Sequence, residues 1–374
     1  MVARLAQPIR ACEALTAEPW RGEVMQAIEV NRTTRGDGPL TIPQVVAPPI
    51  KTKVICTLGP RSLKVKTIRG LQALGVSLFR INLSHTPIEK VGPAIAFLQQ
   101  HSNVPVCLDS EGAQIRTGMF KTAPTNLRKN SLIQIHRNPI YGDAQKLSFT
   151  PSATIDLLEL GDLITIDFHA VVAEVMEIES DRAVLRVQKA GRVGNNKACN
   201  VHRHVELPAI TPKDRKAIEI ARQMGVDHYA LSFANRPEDV REMRELIGAD
   251  ATLISKIESR SGIAHLDEIA RLSDAILIDR GDLSRQVPMQ QIPARQKDII
   301  RRVKALGRPV YVATNLVESM VHSSVPTLAE INDIYNTLED GVDGLVLAAE
   351  TAVGKFPVQC VEMVVSVIAE FEHG

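Results

Sequence analysis

Short apolar runs alternate with longer helical stretches along most of the chain. From residue 53 onward, eight runs have the length of buried strands: 54–56, 78–81, 104–108, 228–231, 252–254, 275–278, 310–313 and 344–347. Helices are predicted between them, and Pro212, Pro237 and Pro293 stand where a first helical turn favours proline. Eight strand–helix alternations predict an α/β fold in which parallel strands close into a (β/α)8 TIM barrel.

One interval breaks this alternation. Between residues 109 and 207 the pattern changes to β-type runs at 132–136, 163–168, 171–178 and 183–187, separated by turn signals. Such a length is unusual for a loop. We therefore predict a small all-β domain over residues 118–207, inserted after the third strand of a barrel that comprises residues 51–117 and 208–374. An insertion at this point stands over the barrel mouth, and we expect it to act as a lid.

The N-terminal segment has a different composition. Residues 1–50 are interrupted by prolines, and one helix is predicted at 21–29, with Trp20 docking it. We expect this segment to form an arm outside the barrel and assign it no chemistry.

Composition and charge narrow the function classes. The net charge is +1 and aromatic residues make up 3% of the chain, which argues against nucleic acid as a partner. The cysteines are scattered, without a Cys-x-x-Cys pair, which favours reduced thiols: Cys12, Cys56, Cys107, Cys199 and Cys360. No signal-peptide core and no membrane-spanning apolar run is visible. We expect a cytoplasmic protein with no membrane partner, and leave open whether it forms homo-oligomers.

The segment 252–284 carries the first chemical signal. It reads as strand–helix–strand, and a right-handed crossover lays the two strands near each other. Lys256 and Glu258 follow the first strand and point the same way on an extended chain, while Asp282 follows the second. One lysine and two carboxylates at one sheet edge suit Mg²⁺ beside a bound phosphate. The alternative is a salt-bridge cluster, including Arg280, that caps the sheet.

Polar residues follow every predicted strand. They are Thr57, Asn82, Ser84, Asp109, Ser110, Ser232, Lys256, Glu258, Asp282, Thr314 and Glu350. TIM barrels place their active sites at the carboxyl ends of their strands. We therefore predict an active site under the lid, with an ordinary hydrated rim as the alternative.

The segments that carry these residues resemble those of the pyruvate kinase family. They are 55–60 (ICTLGP), 80–85 (RINLSH), 115–118 (IRTG), 255–258 (SKIE), 280–283 (RGDL), 313–314 with 318–320, and 350–352 (ETA), in the family's order. The resemblance covers residues 53–370, which includes the barrel and the inserted domain. We expect the family's C-terminal regulatory domain to be absent.

The resemblance implies a role for each matched residue. Lys256 and Arg80 would act on the transferring phosphoryl group. Mg²⁺ would bind Glu258 and Asp282, and K⁺ would bind Asn82, Ser84, Asp109 and Ser110. The backbone around Gly281 and Asp282, with Thr314, would bind the carboxylate of phosphoenolpyruvate. The nucleotide phosphates would meet His85, Arg116 and Lys197, with Asn82 nearby.

The resemblance also implies a reaction, in which phosphoenolpyruvate and ADP give pyruvate and ATP with Mg²⁺ and K⁺ as cofactors. The chain departs from the family pattern at 111–114 (EGAQ), at Asp279 where a small residue is usual, at Ser284, Asn315 and Val353, and at the Ala348-Ala349 pair. Asp279 and the alanine pair favour one alternative, a divergent member acting on a different enol or carboxylate phosphate. A second alternative is a non-catalytic regulator that binds phosphoenolpyruvate or nucleotide.

Overall fold

The computed structural model of the chain describes residues 50–374, except 113, 168, 169 and 204. The predicted N-terminal arm up to residue 49, with its helix, lies outside the described residues. In chain order the described strands are β1 (Lys53–Thr57), β2 (Leu78–Asn82), β3 (Val106–Asp109), β4 (Ile115–Thr117), β5 (Thr125–Leu127), β6 (Leu132–His136), β7 (Lys146–Thr150), β8 (Leu163–Ile166), β9 (Val171–Ile178), β10 (Arg182–Lys189), β11 (Gly191–Val193), β12 (Ala198–Val201), β13 (His228–Leu231), β14 (Thr252–Ile257), β15 (Ala275–Asp279), β16 (Val310–Ala313) and β17 (Gly344–Leu347).

Helices follow most of the barrel strands. The described α-helices are Val65–Ala73, Ile88–His101, Pro212–Gln223, Pro237–Ile247, Arg260–Ala264, Leu266–Leu272, Arg280–Leu283, Ile292–Ala305, Leu328–Glu339, Ala349–Ala352 and Pro357–His373. Short 3-10 helices span Ser152–Leu157, Met289–Gln291 and Glu318–Val321. Within the part of the chain that the structure describes, no helix combines the length and apolar character needed to cross a membrane.

Eight parallel strands close into the predicted TIM barrel. Their order around the barrel is β1, β17, β16, β15, β14, β13, β3 and β2, so the prediction of a (β/α)8 fold is confirmed. Residues of one parity point outward against the helices, and residues of the other parity fill the interior with an apolar cluster that includes Ile254 and Leu277. The barrel is therefore a packed core, and its polar chemistry is confined to the ends of the strands.

A second closed barrel interrupts the first between β3 and the helix Pro212–Gln223. Its strand order is β10, β6, β7, β4, β12, β8 and β9, and β5 pairs with β11 beside it. It has its own apolar core, which includes Ile133, Ile135 and Leu185. The strand β4 pairs with β7 and β12, so the inserted domain includes residues 115–117, which the sequence-based boundary at 118 left in the barrel. Three-residue strands such as β4 are too short to show a period.

The predicted end of β14 at residue 254 is too early. The strand continues to Ile257, so Lys256 lies within it rather than after it. Ser255 within this strand is buried, and its hydroxyl accepts a hydrogen bond from Ser273 Oγ at 2.7 Å. The helix predicted after this strand is divided at His265, whose Nδ1 lies 2.9 Å from the carbonyl oxygen of Asn235.

One buried carboxylate joins the two ends of the insertion. Asp214 forms a capping box with Thr211 at the start of the helix Pro212–Gln223. Its Oδ1 accepts a hydrogen bond from Glu111 N at 2.6 Å, and its Oδ2 accepts one from Gly112 N at 3.3 Å. The segments that enter and leave the inserted domain are thus held side by side.

The separate core of the inserted domain yields a stability prediction. Leu185 is fully buried in this core, whereas Leu132 on the neighbouring strand β6 is 56% exposed. Leu185→Ala should lower the free energy of unfolding of the inserted domain by about 2–5 kcal/mol because it leaves a cavity. Leu132→Ala is the matched control and should change it little. Hydrogen exchange should show faster exchange in β6, β9 and β10 for Leu185→Ala, with barrel strands unchanged. An equal acceleration in the barrel strands would show that both cores unfold as one unit.

Candidate active site

A polar layer covers the apolar interior of the barrel at the carboxyl ends of the strands. Side chains alternate along a strand, so the residue two positions after an interior residue also faces inward. In β14, Ile254 lies in the interior cluster and Lys256 follows it. In β15, Leu277 lies there and Asp279 follows it. Lys256 and Asp279 are 4% and 6% exposed, so strand parity forces both charges into one buried space.

The ammonium group of Lys256 is the centre of this layer. Its Nζ lies 3.0 Å from Glu258 Oε1, 3.3 Å from Asp109 Oδ1 and 4.0 Å from Asp279 Oδ2. It also donates a hydrogen bond to Ser232 Oγ at 3.0 Å. The grouping of Lys256 with Glu258 that the sequence predicted is present, and two further carboxylates join it.

Arg80 extends this network toward β1 and β2. Its Nη1 lies 3.3 Å from Asp109 Oδ2, and its Nε donates to Thr57 Oγ1 at 2.8 Å. Asp109 therefore bridges the two cations, Arg80 and Lys256. Both cations are held within the protein before any substrate binds, which suits groups that must meet a phosphoryl group in a fixed position.

Burial and mutual repulsion shift the pKa values of these groups. Burial lowers the pKa of Lys256, but Asp109, Glu258 and Asp279 outweigh it and raise this pKa above its usual value. Burial raises the pKa of Glu258 to about 8, and Asp282 and Asp279 add to the rise while Lys256 opposes it. Burial, with the nearby Asp279, also raises the pKa of Asp282. The centre therefore holds more acidic groups than its own cations neutralise.

The carboxylates fit a divalent cation. One oxygen each of Glu258, Asp279 and Asp282 lies within 4.8 Å of the others. Phe233 N donates to Glu258 Oε2 at 2.6 Å and so fixes the orientation of this carboxylate. Carboxylate oxygens are the ligands that Mg²⁺ prefers, and a bound cation would favour the ionised form of carboxyl groups whose pKa values burial and neighbouring carboxylates raise. Asp279 is the member of this group that the sequence did not assign to the metal.

Arg280 does not join the Lys256 cluster, contrary to the salt-bridge alternative. Its guanidinium donates to Thr314 O at 3.0 and 2.6 Å, to Asn315 O at 3.0 Å and to Asp333 Oδ2 at 2.7 Å. Thr314 and Asn315 have φ values of 70° and 55°, in the left-handed region that asparagine tolerates but that is rare for a β-branched residue such as threonine. Arg280 therefore stabilises a strained turn, and this turn brings Thr314 Oγ1 within 2.8 Å of Gly281 N.

Amide and hydroxyl oxygens, with one carboxylate, lie on and beside the neighbouring strands and could also bind a cation. Asn82 and Asp109 are register partners on β2 and β3, and Asn82 Oδ1 accepts from Ser84 N at 2.8 Å. Ser110 Oγ accepts from Ser232 N at 2.9 Å. Asp109 Oδ2 accepts no hydrogen bond among the described residues and faces Arg80. One carboxylate with amide and hydroxyl oxygens is a donor set that fits a monovalent cation such as K⁺.

The inserted domain closes the other side of the site. Arg116 Nη1 donates to Asn196 O at 3.0 Å, and Asn196 Nδ2 donates to Ser84 O on the barrel at 3.1 Å. Lys197 Nζ lies 3.2 Å from Asp167. Partial burial, with Arg116 and Lys213 nearby, lowers the pKa of His85. Cationic and neutral donors of both domains thus face one cavity.

This cavity has a volume of about 220 Å³ and is lined by both domains. Its wall includes eight of the thirteen residues to which the resemblance assigned a role: Asn82, Ser84, His85, Arg116, Lys197, Lys256, Glu258 and Asp282. The other five are not part of that lining among the described residues: Arg80, Asp109, Ser110, Gly281 and Thr314. Hydrogen bonds and ion pairs connect these five residues, directly or through one other residue, to residues of the cavity wall.

Comparison with known proteins identifies the family. A family model described as "Pyruvate kinase, barrel domain" matches residues 50–361. The pyruvate kinase of Bacillus licheniformis is 34% identical over 335 residues, which cover 86% of this chain and 57% of that protein. The chain belongs to the pyruvate kinase family. The pyruvate kinases of Methylorubrum extorquens and Thermotoga maritima are 35% identical over 317 residues and 34% identical over 330 residues.

This member of the pyruvate kinase family is matched to only part of its relatives. The aligned residues cover 83% of the chain and 66% of the Methylorubrum extorquens protein, and 86% of the chain and 71% of the Thermotoga maritima protein. The chain therefore spans little more than half to about two thirds of the length of the first curated relatives that it matches. The resemblance that the motifs carried is confirmed at the level of the family.

Arg285 and Asn196 are among the residues of the cavity wall that the sequence analysis missed. Arg285 Nη1 lies 3.0 Å from Asp282 Oδ1, and the spacing of three residues on one helical turn was a signal that could have revealed this pair. Asn196 gave no such signal, because its contact with Ser84 joins two domains that are far apart in sequence. Glu350, which the sequence grouped with the site, is buried outside the lining of this cavity, and its Oε2 accepts a hydrogen bond from Ala348 N at 2.8 Å.

The raised pKa of Glu258 predicts how Mg²⁺ binding depends on pH. In the metal-free centre this pKa is about 8, so below that pH a proton must leave before the carboxylate binds a cation. The dissociation constant for Mg²⁺ should fall about tenfold per pH unit from pH ~6 to 8 and then level off. Isothermal titration calorimetry in buffers of different ionisation enthalpy measures both the affinity and the proton release.

Glu258→Gln is the informative variant for this prediction. It should bind Mg²⁺ weakly and release fewer protons, since the titrating carboxyl group is gone. Glu242→Gln, on the outer surface, should behave like the parent. An affinity that is independent of pH in the parent protein would contradict the assignment of Glu258 as a metal ligand.

Proposed function

We propose that the chain catalyses phosphoryl transfer of the pyruvate kinase type, in which phosphoenolpyruvate and ADP give pyruvate and ATP. The observation that carries the proposal is the group formed at one barrel mouth by buried Lys256, Arg80 and Glu258 together with the half-buried Asp282. Phosphoryl transfer needs little covalent chemistry and depends on positioning and on cations that spread the charge. This centre offers both.

Two cations belong to the proposal. Glu258 and Asp282 would hold Mg²⁺, which supplies positive charge to the phosphoryl oxygens. Asn82, Ser84, Asp109 and Ser110 would hold K⁺. Both donor sets fit the ions, as the raised carboxyl pKa values and the mixed neutral oxygens indicate. The structure supports these assignments through the chemistry of its donors.

The remaining residues would bind the two substrates. Lys256 and Arg80 would orient the transferring phosphoryl group and stabilise its charge. Gly281, Asp282 and Thr314 would face the rest of the small substrate, because their backbone and hydroxyl donors meet at the strained turn. The nucleotide phosphates would bind His85, Arg116 and Lys197, with Asn82 nearby, where the inserted domain closes on the barrel.

The position of Asp279 favours a second candidate. A carboxylate in the middle of the substrate side of the site is unexpected for an enzyme that binds an anionic carboxylate there. A related enol phosphate with a different group beside the phosphate would avoid this conflict. In both candidates the same cations and the same lysine act on the phosphoryl group.

A coupled assay for ATP formation tests the proposal. The parent protein should form ATP from phosphoenolpyruvate and ADP only with Mg²⁺, and faster with K⁺. Lys256→Met should lower the rate about a hundred- to a thousandfold, because one preorganised charge is lost. Lys297→Met is the control, since Lys297 is an exposed lysine that pairs with Asp340 on the outer helices.

Two results would count against this function. Full activity of Lys256→Met would contradict the role of the lysine. Tight binding of phosphoenolpyruvate or ADP, with no transfer under any of these conditions, would instead favour the binding regulator. Thermal melting of both variants, followed by circular dichroism, separates lost chemistry from lost folding.

A further inference from the structure

The carboxylate of Asp279 lies over a set of hydrogen-bond donors at the barrel mouth. Its Oδ1 accepts from the N–H of Gly281 at 3.2 Å and of Asp282 at 3.4 Å, and lies 3.4 Å from Thr314 Oγ1. A Cβ added to Gly281 would lie 3.4 Å from the same oxygen, so the carboxylate packs against the bare face of this glycine. The donors that face the small substrate in the proposed function are therefore in contact with a side chain of the protein itself.

The position of this carboxylate is fixed by the strand. Asp279 is the last residue of β15 and follows Leu277 on the inward face, so it cannot turn outward without changing the parity of the strand. The side chain is 6% exposed, and its second oxygen faces the ammonium of Lys256 at 4.0 Å. The side chain of Asp279 is thus held in a fixed position within the site.

We propose that Asp279 is a specificity-determining residue whose carboxylate takes the place of a substrate carboxylate. This inference rests on the proposed function, which assigns the phosphoryl group to Lys256 and the adjoining substrate group to Gly281, Asp282 and Thr314. The site accordingly lacks the preference for a substrate carboxylate that free donors would give, and it accepts phosphorylated substrates that carry a neutral group there as readily as phosphoenolpyruvate.

Two physical effects produce this selectivity. A substrate carboxylate must displace Asp279 from the N–H groups of Gly281 and Asp282, since one donor does not serve two anions well. It must also approach a like charge in a largely buried space, and one such charge about 6 Å away weakens binding about a hundredfold at an effective dielectric near 20. A hydrogen or hydroxyl group at this position encounters neither penalty.

The test compares two ligands that differ only by the carboxylate. Phosphoenolpyruvate and vinyl phosphate are titrated into the full chain by calorimetry, with saturating Mg²⁺ and no nucleotide. The parent should bind the two with dissociation constants within about fivefold of each other. Asp279→Ala should prefer phosphoenolpyruvate by about a hundredfold, because the donors become free and the charge is gone. Thermal melting followed by circular dichroism checks that the variant folds.

Asp279→Asn distinguishes the effect of occupying the hydrogen-bond donors from the effect of the negative charge. Its amide oxygen still lies over Gly281 and Asp282 while the charge is absent, so its preference for phosphoenolpyruvate should stay well below that of Asp279→Ala. An equal preference in the two variants would overturn the proposal in favour of simple repulsion. An unchanged ratio in Asp279→Ala would overturn it as well.

The binding ratio is independent of turnover. If no ligand supports ATP formation but the ratios change as expected, the proposed function fails while the role of Asp279 stands. If ATP is formed from phosphoenolpyruvate and the parent already binds it a hundredfold more tightly than vinyl phosphate, the role of Asp279 fails while the function stands. Failure of both ligands to bind any variant would overturn both.

Discussion

The buried ammonium of Lys256 is the interaction on which the mouth of the barrel depends. It lies within 4.0 Å of carboxylate oxygens from Asp109, Glu258 and Asp279, which come from β3, from the segment after β14, and from β15. Carboxylates this deeply buried repel one another and lose their hydration, and removal of a central cation typically costs about 3–5 kcal/mol. The same charge therefore holds the strand ends together, and it is the charge that the proposed function assigns to the phosphoryl group.

Strained backbone surrounds this centre on two sides. Phe233 has a φ of 51° and directs its N–H to Glu258, and Thr314 with Asn315 forms a second turn in the left-handed region. Each such residue costs of the order of 1–3 kcal/mol and persists only where neighbours compensate. Here the carboxylate of Glu258 and the guanidinium of Arg280 supply that compensation. The hydrogen bonds of the polar network therefore stabilise the loop conformations, and the loops in turn position the polar side chains.

Much of this arrangement could be predicted from the chain alone. Eight apolar runs with intervening helices are enough to indicate a closed parallel barrel, and the change of period after β3 indicates the insertion. Parallel strands bring their carboxyl ends to one edge, which grouped Lys256 with Glu258 and Asp282. The inward direction of Asp279 also follows from counting two residues from Leu277, once the strand is known to reach residue 279. Because the sequence analysis ended this strand at residue 278, it did not show that Asp279 points inward.

Other features depend on contacts that no local pattern records. The strands β4, β5, β11 and β12 are three or four residues long, and they form because partners distant in the chain supply their hydrogen bonds. Arg285 joins Asp282 by helical spacing, but its placement in the cavity depends on how the inserted domain and the barrel meet. Tertiary packing decides such positions.

The hydrogen bonds that Asp214 accepts from Glu111 and Gly112 determine how the two domains are joined. Because these bonds hold Glu111 and Gly112 against the start of the helix Pro212–Gln223, the chain leaves the barrel and returns to it at nearly one point. The entropy of closing a loop rises by only about 0.6 kcal/mol for each doubling of its length. The stability of the barrel therefore depends little on the length of the segment inserted at this junction. The inserted domain is thus joined to the barrel as a module whose length the eight strands beneath it scarcely constrain.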